Sequence, residues 1–212
     1  MSPASPATWT TRFRSSVDVD TQAKAVAKRV ISNSNYASLY FGYFEASTDF
    51  LSANDGRLDH DAEQMLLMLR VGLPRLSALC LCRLWDKPGK DRHSLLALTK
   101  IITFAKAAGA RDQSFIRECR KLSNSELISG LTRFRNTDLA HNLPLPVKGE
   151  GLTIERLREI LRKTQPMIDR VASILRMPEI HQDEAFQLLM RNGQGFWDLV
   201  AHVVVRKRSR NE

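Results

Sequence analysis

Apolar residues recur along this chain at intervals of three and four, the period of one face of an α-helix. Ala23, Val26, Ala27 and Val30 form the first such stripe, and Asp20 stands ahead of it as an N-cap. The polar run Ser32-Asn33-Ser34-Asn35 is expected to interrupt that helix. An aromatic-rich helix follows from Tyr36 to Leu51, carrying Tyr40, Phe41, Tyr43, Phe44 and Phe50. Aromatic side chains can stack on bases, but at helical spacing they read as core. Asn54-Asp55-Gly56 is a turn signal. From about Asp59 to Trp85 runs the strongest stripe: Met65, Leu66, Leu69, Leu73, Leu76, Leu79, Cys80, Arg83 and Leu84. It predicts the central helix, with a kink at Pro74, ended by Lys87-Pro88-Gly89-Lys90. Ser94 caps the next helix, which turns Leu95, Leu98, Ile101, Ile102 and Ala105 inward and is closed by Gly109. Asp112 opens a short helix with Phe115, Ile116, Cys119 and Leu122. Ser123 and Glu126 have capping-box spacing ahead of a helix from about Asn124 to His141. Thr153 caps a helix from Ile154 to Met177, bent at Pro166. In the stretch 182–206, Phe186, Leu189 and Met190 predict a helix broken at Gly193 and Gly195. It resumes at Phe196, with Val203-Val204-Val205 as an alternative extended segment.

These elements predict one all-α domain, a single helical bundle of about six or seven helices, over residues 18–206. Residues 1–17 read as a flexible tail and 207–212 as a basic one. The 212 residues suffice for a full core. The formal net charge of +9 favours polyanions such as RNA, DNA or anionic membrane, and Lys87 and Lys90 sit in a basic loop that reads equally as a phosphate contact or as a solvated loop. Cys80, Cys82 and Cys119 read as small buried hydrophobes in a reducing compartment, which implies a cytoplasmic location. Cys80 and Cys82 are two apart with no second pair, so no metal site is expected. No nucleotide-binding glycine pattern occurs and no cofactor is expected. The N-terminus lacks a signal-peptide core, and no uninterrupted apolar run reaches membrane-spanning length, so no membrane partner is expected.

Chemistry concentrates in Arg133-Phe134-Arg135-Asn136-Thr137-Asp138-Leu139-Ala140-His141-Asn142. Leu127, Leu131 and Phe134 make the stripe of this helix, and extending it by four and three lands on Asp138 and His141. An acid and an imidazole thus occupy positions where core residues belong. Pro144 biases Leu143 away from helical angles, so the helix should stop nearby. At that C-terminal end the macrodipole disfavours Asp138 and favours a protonated His141. Arginine holds phosphate through a fork of donors, and histidine exchanges protons near neutral pH. Local rules broken together mark a functional site. The bland alternative is a surface arginine and a histidine that caps helix-end carbonyls. Arg135 and His141 are separated by about 600° of helical rotation, so they do not share a face of an ideal helix. Either the helix end unwinds or a second copy of the chain supplies the missing partner, which predicts a homodimer with a composite site.

An arginine, a polar residue directly after it, and a histidine near the end of a helix in an all-helical chain resemble the HEPN superfamily motif, here Arg135, Asn136 and His141. Cys82-Arg83-Leu84-Trp85-Asp86, followed by Lys87-Pro88 and a helix from Ser94, resembles the abortive-infection (type U) branch. The resemblance covers roughly residues 20–180. It implies a helical bundle, homodimerisation, and metal-independent endoribonuclease activity of the kind found in toxins and phage defence, with a cognate antitoxin protein as a partner. On that reading Arg135 holds the scissile phosphate and His141 is the general acid or base. Asn136 hydrogen-bonds the phosphate or orients His141, Asp138 orients His141 or Arg135, and Arg133, Asn142, Lys87 and Lys90 bind RNA. The chain departs from a large toxin subgroup: Asn142-Leu143-Pro144-Leu145 follows the histidine, where that subgroup carries a tyrosine its antitoxin modifies. The rivals are a non-catalytic RNA- or protein-binding helical module and a regulatory subunit without activity of its own.

Overall fold

A computed structural model describes residues 16–54, 56, 58–87, 93–104, 110–137, 145 and 151–177. Among them are six helices and no strand: α1 (Ser16–Ala53), α2 (His60–Trp85), α3 (Leu95–Phe104), α4 (Ala110–Ser123), α5 (Glu126–Thr137) and α6 (Ile154–Ile174). The all-α reading holds. The predicted segments at 182–206 and the turn residue Asp55 lie outside the described residues.

The first expectation to fail is the break at Ser32–Asn35. α1 is a single helix through that run, and it begins at Ser16, ahead of the expected cap. Asp20 lies inside it and pairs with Lys24 one turn on at 2.7 Å. Weak helix formers cost at most about 0.7 kcal/mol each. Burying a valine, isoleucine or phenylalanine is worth about 1.5–3 kcal/mol. Val30, Ile31, Ala37 and Phe41 are all buried, and Ser34 lies on the same inward face. Packing therefore outweighs local preference across the polar run.

α2 starts where expected, with the Asp59 carboxylate accepting from the Ala62 amide at 2.8 Å. It continues through Pro74. Its stripe divides into two faces. Leu66, Leu73, Ala78, Leu81, Leu84 and Trp85 are buried, whereas Met65, Leu76 and Arg83, expected inward, are exposed. α2 packs most extensively on α1 and also touches α3, α5 and α6. By length and mean hydropathy (1.6 over 18 residues) α2 is apolar enough to cross a membrane, although Arg70 and Arg75 interrupt its apolar run. Its buried face is already occupied by the other helices of the bundle.

Ser94 caps α3, its hydroxyl accepting from the Ala97 amide at 3.2 Å, while Gly109 lies outside the described residues. The capping box at Ser123 does not form. Ser123 belongs to the last turn of α4 and its hydroxyl donates to the Arg120 carbonyl. Ser125 precedes α5 instead, with its carbonyl accepting from the Ser129 amide at 3.1 Å. Thr153 caps α6 as expected, accepting from the Arg156 amide at 3.1 Å.

All six helices feed one core, which includes Val30, Leu81, Leu98, Phe115, Leu131 and Ile160. A smaller cluster, Leu58 and Leu66 packed by Phe50, Leu51 and Leu69, lies where α1 ends and α2 begins. The aromatic helix splits between roles. Phe41 is core, whereas Tyr36 is 51% exposed with its ring stacked on Tyr40, centroids 6.2 Å apart.

α6 ends at Ile174 rather than Met177. The Met177 amide donates to the Ala172 carbonyl and the Arg176 amide to Ser173, with Arg176 in the left-handed region at φ 47°. This bonding pattern ordinarily takes glycine at the left-handed position, because a Cβ there is strained. Arg176→Gly is therefore expected to stabilise the fold by about 0.5–1 kcal/mol, read as a higher denaturant midpoint at unchanged slope. An unchanged or lower midpoint would contradict this account of the α6 end.

Candidate functional site

Arg135 sits where α5 meets the end of α2. Leu131 and Phe134 bury one face of α5, and the Leu131 carbonyl accepts from the Cys82 thiol at 3.5 Å. This contact fixes α5 against the last turns of α2. Trp85 closes that helix, buried, with its indole nitrogen donating to the Thr164 hydroxyl of α6 at 3.2 Å. The chain then turns extended at Asp86. With Trp85 held and Phe134 buried, the neighbouring side chains Asp86 and Arg135 are brought together. Arg135 Nη1 donates to Asp86 Oδ1. The side chains are 24% and 17% exposed.

This ion pair resolves a local misfit. Asp86 follows the C-terminus of α2, where the macrodipole disfavours a carboxylate. Arg135 lies in the last turn of α5, where a cation is favoured. Arg135 Nε donates to Asn136 Oδ1 at 3.2 Å. Two of the three guanidinium nitrogens are thus committed, and Nη2 makes no hydrogen bond to any described residue. An arginine tethered in this way is held in one orientation, and no described residue occupies its remaining edge.

Arg135 and Asn136 are thus brought together by the structure. Asp138, His141, Asn142 and Lys90 lie outside the described residues. So does the helical register beyond Thr137 on which the 600° separation of Arg135 and His141 depended. Lys87 is exposed directly after Asp86. Arg133 belongs elsewhere: two residues from Arg135, about 200° around the helix, it lines a separate groove of about 340 Å³ with Glu126, Ser129, Gly130, Gly151 and Arg156. Arg156 in that groove donates to the Gly151 carbonyl at 2.7 Å and lies 3.6 Å from Glu126.

Sequence reasoning missed Asp86 as the partner of Arg135. The signal was present, since an acid directly after the apolar stripe of α2 violates the same helix-end rule that drew attention to Asp138.

Burial pushes the thiols of Cys82 and Cys119 up to about 12, with the Arg135 charge acting in the opposite sense on Cys82. Burial also raises Cys80, which is half-buried, and Arg83 pulls the other way. A thiol whose folded value lies above its unfolded value of about 8.5 keeps its proton only in the folded chain. Stability is then lost as pH rises from about 8.5 toward 12. A thiol reagent at pH 8 is accordingly expected to modify Cys82 and Cys119 only on unfolding, and the melting temperature to fall above about pH 9. Rapid labelling of all three thiols in the native protein would contradict this packing.

No family model, curated protein or solved structure matches the chain.

Proposed function

We propose that this chain is a metal-independent endoribonuclease of HEPN type, acting as a toxin in phage defence or in a toxin–antitoxin pair. The observation that carries the reading is Arg135. It is held by Asp86 and Asn136, and no described residue bonds its third guanidinium nitrogen, at the head of the segment that ends in His141. A pre-oriented guanidinium stabilises charge that builds on a phosphate in the transition state. With His141 as general base or acid, the ribose 2′-hydroxyl loses its proton and its oxygen bonds to phosphorus. The bond to the 5′-oxygen then breaks, and that oxygen takes up a proton. The products are a 2′,3′-cyclic phosphate and a 5′-hydroxyl. The formal charge of +9 supports an RNA partner.

A second reading is favoured by the same ion pair. Asp86 neutralises Arg135, as it would if the two only tie α2 to α5 in a non-catalytic RNA- or protein-binding module. Two substitutions separate the readings. His141→Ala is expected to remove a proton-transfer contribution of about 10²–10⁴-fold. Arg135→Lys keeps the charge but loses the planar fork, and is expected to fail as a phosphate clamp. Cleavage and growth toxicity are measured against melting temperature for both variants. Full activity in both at unchanged melting temperature would leave the binding module as the surviving reading.

A further inference from the structure

Along the solvent face of α2 runs a stripe that the described residues leave largely uncovered. Met68 is 75% exposed, Met65 43% and Leu76 42%. Gly72 and Leu79 on the same face are half-buried, and Asp61 and Arg83 at its two ends are exposed. The stripe is symmetric about Gly72. Met68 and Leu76 lie four residues to either side, Met65 and Leu79 seven, and Asp61 and Arg83 eleven. On a helix of 3.6 residues per turn all seven fall within about 80° of arc. We propose that this face is a homodimer interface, in which α2 packs antiparallel on α2 of a second copy across a two-fold axis at Gly72.

Three observations point to a second copy as the occupant. The first is self-complementarity. A two-fold axis at Gly72 sets Met68 of one protomer against Leu76 of the other, and Met65 against Leu79, as an isologous interface requires. The second is charge. The same register sets Asp61 against Arg83 at both ends, and neither has an ion-pair partner among the described residues of the monomer. The third is Gly72 itself. A glycine in mid-helix weakens the helix relative to alanine, yet a Cβ built there meets nothing within 4 Å. Among the described residues nothing approaches this glycine, whereas two helices crossing at it approach more closely than side chains would allow.

This inference does not rest on the ribonuclease reading, and it alters one feature of it. Asp86 lies fourteen residues past Gly72, so antiparallel pairing separates the two Asp86–Arg135 sites by about 40 Å along α2. A dimer built on this face does not join two copies of the site in one cleft, as the composite-site expectation required.

The test is the self-association of the full chain by sedimentation equilibrium, with circular dichroism to verify folding. Wild type is expected to be a dimer. Asp61→Arg and Arg83→Asp each place like charges together at both ends, and each is expected to weaken the dimer by about tenfold. The double variant Asp61→Arg with Arg83→Asp is expected to recover most of the loss. Gly72→Leu is expected to keep or raise the melting temperature of the monomer while abolishing the dimer. Four results would overturn the proposal: a wild-type monomer at tens of micromolar, a dimer indifferent to Gly72→Leu, no recovery in the double variant, or loading of the monomer through Met68 onto neutral phosphatidylcholine vesicles.

Discussion

Arg135→Ala is expected to lower RNA cleavage by about 10²–10³-fold, the usual consequence of losing one pre-oriented donor to a developing oxyanion. It is also expected to destabilise the fold by about 2 kcal/mol, because Asp86 is left three-quarters or more buried beside a helix C-terminus without its partner. The two effects come apart in combination. Arg135→Leu with Asp86→Leu replaces the ion pair by an apolar contact and is expected to recover the stability but not the cleavage. Asp86→Asn keeps a hydrogen-bond acceptor beside Arg135. It is expected to retain more activity than Asp86→Ala, in which the guanidinium is no longer aimed. Chemical denaturation and a cleavage assay on the same preparations read both quantities. Equal activity in Arg135→Ala and wild type would reduce the ion pair to a clamp between α2 and α5.

The second large effect is at Trp85. Trp85→Ala is expected to cost about 3–5 kcal/mol, the range for truncating a buried aromatic side chain. Trp85 is 3% exposed and belongs to the core shared by all six helices. Trp85→Phe keeps most of the packing but leaves the buried Thr164 hydroxyl without its donor, at an expected cost of about 1–3 kcal/mol. Adding Thr164→Val to Trp85→Phe is expected to recover part of that cost, since neither polar group then remains unpaired. Because Trp85 immediately precedes Asp86, Trp85→Phe is also expected to lower cleavage more than a core substitution of equal cost far from the site, such as Ile168→Val. Unchanged cleavage in Trp85→Phe would mean that Asp86 is positioned independently of the indole.

Helix starts were legible at three positions ahead of an apolar stripe, but not at Asp20 or Ser123, which offered the same pattern and lie inside α1 and α4. Asp59, Ser94 and Thr153 each precede an apolar run and each caps a helix in the structure. Sequence reading failed where local preference opposed packing. Ser32–Asn35 reads as a break, but Val30, Ile31 and Ala37 bury the same face on both sides of it. It also failed where one helix carries two apolar faces. Met65 and Leu76 look like core positions by spacing, and only the placement of α1 shows that the buried face is the one bearing Leu66, Leu73 and Leu81. Arg135 and Asn136 were legible as chemistry because they are adjacent in sequence. Asp86 comes from just past the end of α2, 49 residues away, and although its place at a helix end was a signal, no local pattern joins it to α5. Arg133 and Arg135 read as one basic cluster in sequence, but the helical turn sends them to different surfaces.

The central claim is that RNA is cleaved by the chain's own arginine and histidine, with the ribose 2′-hydroxyl as nucleophile. The most direct measurement incubates the full-length protein with RNA in excess chelator and identifies the ends of the products. Cleavage should persist, leave 2′,3′-cyclic phosphate and 5′-hydroxyl ends, and stop at any position where a single 2′-deoxynucleotide replaces the ribonucleotide. Cleavage that vanishes with chelator and returns with Mg²⁺, or that continues past the 2′-deoxy position, would contradict it.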